Sequence, residues 1–167
     1  GSMKNKGFSL IEVMVTVAIL AACTFLVSLS LSTIFSSEAR KCANELDSLL
    51  SKTKLNAMSK EAGVYLWLYC SDEGDVTAEY YEKNALVAQD VIGNSRCSVS
   101  YTLDGAEKPL DAAGIYISFQ RDTGAFDFSR NTAWSGGAVC SAITVTAGSK
   151  TYVITLVPAT GAHTLGG

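Results

Sequence analysis

Residues 13–35 form an unbroken run of 23 uncharged residues, and no other feature restricts this chain's fold as much. Together with residues 8–12 the segment reads FSLIEVMVTVAILAACTFLVSLSLSTIF, in which Glu12 is the single charge and neither Pro nor Gly occurs. A helix needs about 20 predominantly apolar residues to cross a bilayer core, so this segment is long enough to span with some tilt. A secretory signal peptide has a shorter apolar region, about 7–15 residues, ending at small residues. A buried core helix keeps a polar side for water, and this run offers none. A transmembrane helix is therefore expected. Lys4 and Lys6 precede it with no acid among residues 1–7, which places the N-terminus in the cytoplasm and the rest of the chain outside. Gly1 and Ser2, ahead of Met3, read as an expression scar.

Residues 36–62 change character without a break. Ala39, Cys42, Ala43, Leu46, Leu49, Leu50, Ala57 and Met58 recur at three- and four-residue spacing, and charges fill other positions. This spacing predicts an amphipathic helix that continues the apolar one until Gly63, the first stop signal. Its apolar stripe needs a cover, and residues 63–167 supply one. There the pattern turns to short runs rich in β-branched and aromatic residues, at 64–70, 98–103, 114–120, 125–130, 142–147 and 151–157. Asp122-Thr123-Gly124 and Gly148-Ser149-Lys150 read as turns between them. Residues 71–97 look acidic and less regular, and the end of the chain looks ragged. The expected plan is α+β: a long N-terminal helix packed against a mostly antiparallel β-sheet head. Its segments are 1–7 (scar and leader), 8–35 (membrane half of the helix), 36–62 (amphipathic half) and 63–167 (extracytoplasmic head).

The N-terminal residues KGFSLIEVMVTVAILAA resemble the class III leader of type IV pilins and of the pseudopilins of type II secretion. Gly7 stands before the cut, Phe8 becomes the new N-terminus, and Glu12 is the lone acid. The resemblance implies a pilin-like fold, cleavage between Gly7 and Phe8 by a prepilin peptidase, and N-methylation of Phe8. It also implies the partners: other pilin or pseudopilin subunits, an assembly platform with its ATPase, and membrane lipid before assembly. The chain would begin as a single-pass protein of the cytoplasmic membrane and end in a cell-surface filament. LLSKTKLNAMSKEAGVYLWLYC resembles the helix-to-first-strand region of GspH/FimT-type minor pilins. GIYISFQRDTGAF and ITVTAGSKTYVITLVPATGAH resemble the closing hairpins of that group. A minor structural subunit is thus expected, against two alternatives: a major pilin, or a competence-type pseudopilin that binds DNA. Many relatives carry Pro where this chain has Leu29 and Gly where it has Ala21, so local melting of the helix is not expected here.

Glu12 needs an explanation, because a carboxylate in a bilayer core costs a few kcal/mol. The plainer alternative is that it snorkels to the interface. The functional reading pairs it with the free amine of Phe8 on a neighbouring subunit, which fixes the axial register in a filament. Packing through Val13, Val17, Ala21 and Ala22 would supply most of the assembly energy. DNA is an improbable ligand by charge. The head holds six basic against eleven acidic residues, net −5, and phosphate contacts dominate nucleic-acid affinity. A local patch around Arg121 and Arg130 is the exception to watch, and the tail GAHTLGG adds no cation.

Cys23 suits a membrane helix as a small apolar residue. Cys42, Cys70, Cys97 and Cys140 are candidates for disulfide pairing outside the cell membrane, with three connectivities open, and free thiols are the alternative in an anaerobe. No C-x-x-C pair and only one histidine, His163, argue against a zinc site. The acids Asp72, Glu73, Asp75, Glu79 and Glu82 lack the spacing of a calcium loop. No metal, cofactor or catalytic residue is expected, and the chain does not read as an enzyme.

Overall fold

The structure, a computed structural model, describes residues 9–59 and 62–167, apart from the side chains of 25–36. A single long helix, α1, spans Leu10–Ser59. The chain divides into two compact units, Gly1–Ile34 and Phe35–Gly167.

In the first unit every described side chain, 9–24, is exposed, including Leu10, Ile11, Met14, Val17 and Leu20. The hydroxyls there are satisfied locally. Thr16 Oγ1 donates to Glu12 O at 2.7 Å and Thr24 Oγ1 to Leu20 O at 2.8 Å. A hydroxyl folded onto the carbonyl four residues earlier leaves the helix surface apolar. Among the described residues no helix is long and apolar enough to cross a membrane. The apolar run of the sequence continues through 25–35, whose side chains lie outside the described residues.

In the second unit α1 buries Ala39, Cys42, Ala43, Leu46, Leu50, Thr53 and Ala57. Leu49 is half-buried against this stripe. Met58, expected on the stripe, is 41% exposed. Each residue turns about 100° round a helix, and the sequence of turns Leu46, Leu50, Thr53, Ala57 leaves Met58 off the seam. Thr53 is polar at a core position, but its hydroxyl donates to Leu49 O at 2.7 Å, so no donor is stranded.

The strands are β1 Tyr65–Cys70, β2 Val76–Glu82, β3 Ala85–Gly93, β4 Ser98–Leu103 and β5 Ala106–Pro109, then β6 Ile115–Phe119, β7 Phe126–Asp127, β8 Cys140–Ala147, β9 Lys150–Val157 and β10 Ala162–Gly166. They form two five-stranded sheets, β3-β2-β1-β6-β7 and β10-β9-β8-β4-β5. Every pairing is antiparallel. Inward residues alternate as a half-buried strand requires. β1 contributes Leu66 and Leu68, β6 Ile115 and Ile117, β4 Val99 and Tyr101, β8 Ile143 and Val145. These side chains and the α1 stripe make one continuous core.

The observed strands depart from the sequence expectation in four places, one of them β5, an unforeseen strand that pairs with β4. Residues 71–97 are not irregular: they hold β2 and β3. Their hairpin turns on Lys83-Asn84, both at positive φ (54° and 62°), the geometry of a type I′ turn. The run 125–130 yields only the two-residue β7. The C-terminal segment is not ragged, because β10 pairs with β9 over five residues. Gly161 makes that last hairpin possible. It sits at φ 72°, and a Cβ there would collide with Gly124 O.

The stripe gives a direct test. Leu46→Ala should cost about 3 kcal/mol in urea unfolding, through lost burial and a residual cavity. Met58→Ala should cost less than about 0.5 kcal/mol. Equal losses would show that the seam is misplaced.

Candidate functional site

α1 opens with a reciprocal cap. Glu12 N donates to Ser9 Oγ at 3.2 Å, and Ser9 N donates to Glu12 Oε2 at 3.3 Å. Val13 N closes the first helical bond to Ser9 O at 3.1 Å. This is the capping box, in which a Ser and a Glu three residues apart each satisfy an amide that the helix leaves without a partner. The carboxylate of Glu12 is thus turned toward the N-terminal end of its own helix. Gly7 and Phe8, the expected cleavage and methylation residues, lie outside the described residues.

The outward face of the first sheet carries an aromatic layer. Tyr65 stacks on Tyr81 with centroids 4.5 Å apart, and Trp67 lies between Tyr69 at 4.1 Å and Tyr116 at 5.7 Å. Glu79, 7% exposed, accepts hydrogen bonds from Tyr69 Oη at 2.7 Å and Tyr81 Oη at 2.6 Å. Those bonds raise both phenols, Tyr81 to about 12. On the inward face Tyr80 is also pushed up to about 12, by burial and then by its bond to Glu82. Two of the acids considered for calcium, Glu79 and Glu82, therefore already hold tyrosine hydroxyls. Arg130 lies 4.0 Å over the Tyr65 ring and donates to Asn84 Oδ1 at 3.1 Å. Arg121 and Arg130 do line one groove, but Asp127 lines it with them. That acid weakens the case for a phosphate-binding patch.

A polar cluster joins the last strand to the helix. His163 on β10 places Nδ1 2.7 Å from Asp47 Oδ1 and Nε2 3.3 Å from Ser51 Oγ. Asp47 and Ser51 share one face of α1 because they are four residues apart. The cluster borders an open groove of about 480 Å³. The connectivity is that of an acid, a base and a hydroxyl nucleophile. Acyl transfer also needs N–H donors aimed at a developing oxyanion. Gly161 N is bonded to Val157 O and Ala162 N to Thr160 Oγ1. Lys54 Nζ, the nearby cation, donates to Thr160 O at 3.2 Å. These bonds act as straps that hold the β9–β10 hairpin on α1. No local pattern around His163 marks this contact in the sequence; the i, i+4 placement of Asp47 and Ser51 is its one signal.

All five cysteines are free thiols. Cys42 and Cys97 are both buried and close enough to affect each other electrically. Burial pushes the Cys42 thiol up to about 12 and that of Cys140 to about 11. Cys140 Sγ contacts Ala142 O in its own strand at 3.5 Å, and Cys70 sits half-buried at the end of β1.

Known proteins speak to the first of these features. Residues 2–28 match the prokaryotic N-terminal methylation motif. This motif is typical of type IV pilins and pseudopilins, and it implies processing by prepilin peptidase and assembly with other pilin subunits. Its span includes Ser9 and Glu12, so the capping box lies inside the methylation motif. No curated protein and no solved structure matches the chain.

The strap is measurable. His163→Ala should lower stability by about 1 kcal/mol, since it removes a largely buried hydrogen bond to Asp47. In the Asp47→Ala background the same substitution should cost much less. Additive losses in that double-mutant cycle would mean that the two residues do not act together.

Proposed function

We propose that the chain is a structural, minor subunit of a type IV pilus or a type II secretion-like pseudopilus, of the GspH/FimT kind. It is not an enzyme and needs no cofactor. Residues 8–35 hold it in the cytoplasmic membrane with the head outside, until a prepilin peptidase cuts between Gly7 and Phe8 and methylates Phe8. The subunit then passes from lipid into a cell-surface filament, driven by the platform and ATPase of its machine. One observation carries this reading: an acid placed by a helix cap at the start of an exposed apolar helix, within a methylation motif.

The physical logic follows from that placement. An apolar helix exposed on all sides is stable only in lipid or among similar helices. Cleavage would create a cationic amine one residue before the Ser9 cap. The Glu12 carboxylate, turned toward that end, would meet the amine of a neighbouring subunit and fix its height in the stack. DNA binding and a major-subunit role are the less supported readings; the head's net charge of −5, six basic against eleven acidic residues, opposes the first.

Co-expression with a prepilin peptidase should remove residues 1–7 and leave a methylated Phe8, read by intact mass. An uncut chain would sink the proposal. Two substitutions separate the cap from the charge. Ser9→Ala removes the cap and keeps the acid. Glu12→Gln keeps a residue able to close the capping box and removes the charge. Filament incorporation should survive the first and fail in the second; the reverse result would make Glu12 a helix-start residue only.

A further inference from the structure

We propose that Cys42 and Cys97 form a disulfide that bolts α1 to the loop leading into β4. The two residues come from distant parts of the chain, and the fold brings them to the same buried spot. Cys42 is fully buried in the helix stripe, and Cys97 is 6% exposed. The two thiols lie close enough for each to shift the other's titration. Gly93, at the end of β3, makes the space. A Cβ on Gly93 would lie 3.1 Å from Cys42 Sγ and 3.3 Å from Cys97 Cβ. Gly93 is not at positive φ, so its backbone does not demand glycine there. The missing side chain serves the sulfurs instead. A tight turn fixes Cys97 from the other side: its N–H donates to Asn94 O at 2.9 Å, and Arg96 N donates to Asn94 Oδ1 at 2.9 Å.

The chemistry balances with a disulfide as oxidant, oxidised glutathione for instance. One cysteine thiolate attacks the oxidant's disulfide, and one molecule of glutathione leaves as its thiolate. The second cysteine then displaces the other glutathione. Two protein thiols become one S–S bond, and one disulfide becomes two thiols. Burial keeps both cysteines protonated in the folded head, so exchange is fast only before α1 docks. The bond forms during folding and is then shielded from reductants. Its occurrence in the cell rests on the extracytoplasmic placement proposed above, because such bonds persist in oxidising compartments. The pairing itself does not depend on that placement.

The test uses the full chain in detergent, unfolded and reduced, then refolded in a mixture of reduced and oxidised glutathione. Free thiols are alkylated and the protein is digested with trypsin without reduction. Each cysteine falls on a different peptide. The expected product is peptide 42–52 linked to peptide 97–121, Lys108 being protected by Pro109. Cys70 and Cys140 should be alkylated. Oxidant added to the already folded, reduced chain should give the same link more than about tenfold slower. In a Cys97→Ser chain, Cys42 should remain alkylatable after oxidative refolding. Alkylated Cys42 and Cys97 in the refolded wild-type chain, or a link from either to Cys70 or Cys140, would overturn the proposal. A link formed on refolding but missing from the chain isolated from cells would instead count against the extracytoplasmic placement.

Discussion

Both sheets close on one seam of α1, and without that seam neither would have a core. Leu46 and Leu50 are fully buried in it, within the one core cluster that also takes in strand residues of both sheets. Ala39, Cys42 and Ala43 are small where the seam begins, which lets strands approach the helix backbone. Ahead of the seam the same helix is apolar without a preferred side, and its described side chains are exposed. One element thus serves two solvents. Its second part is organised for the interior of a globule, and its first part is suited to lipid or to other helices.

The helix and half of the strands were readable from sequence because their patterns are pure. The run at 98–103 alternates polar and apolar residues and becomes β4 without change of boundary. The β2–β3 hairpin was hidden for two physical reasons. β2 is covered on both faces over its first five residues, so its side chains do not alternate in polarity. Its turn uses Lys83-Asn84 at positive φ in place of the usual Asn-Gly or Asp-Gly. Asp104-Gly105, before β5, does carry that signal, and both residues sit at positive φ. In the N-terminal segment, Ser9 and Glu12 had the spacing of a capping box. The acid's place in an apolar run points to a membrane role and masks this local one. The His163 cluster joins residues more than a hundred positions apart, and no local pattern announces such a contact.

The cap changes how the acid is understood. A carboxylate that satisfies a backbone amide loses less on leaving water than one with no partner. The local bond and a later ion pair are compatible, since a carboxylate has about four lone-pair sites. The helix start is then ordered before any partner arrives, which lowers the entropic cost of docking.

The single imidazole of the chain sits at the junction of β10 and α1, bonded on both nitrogens. This gives the molecule a built-in reporter. Its ring protons produce one set of aromatic imidazole resonances with no overlap from a second histidine. Any event that lifts the final hairpin from the helix, whether thermal, mechanical or imposed by a neighbour, would register there as a change at one site.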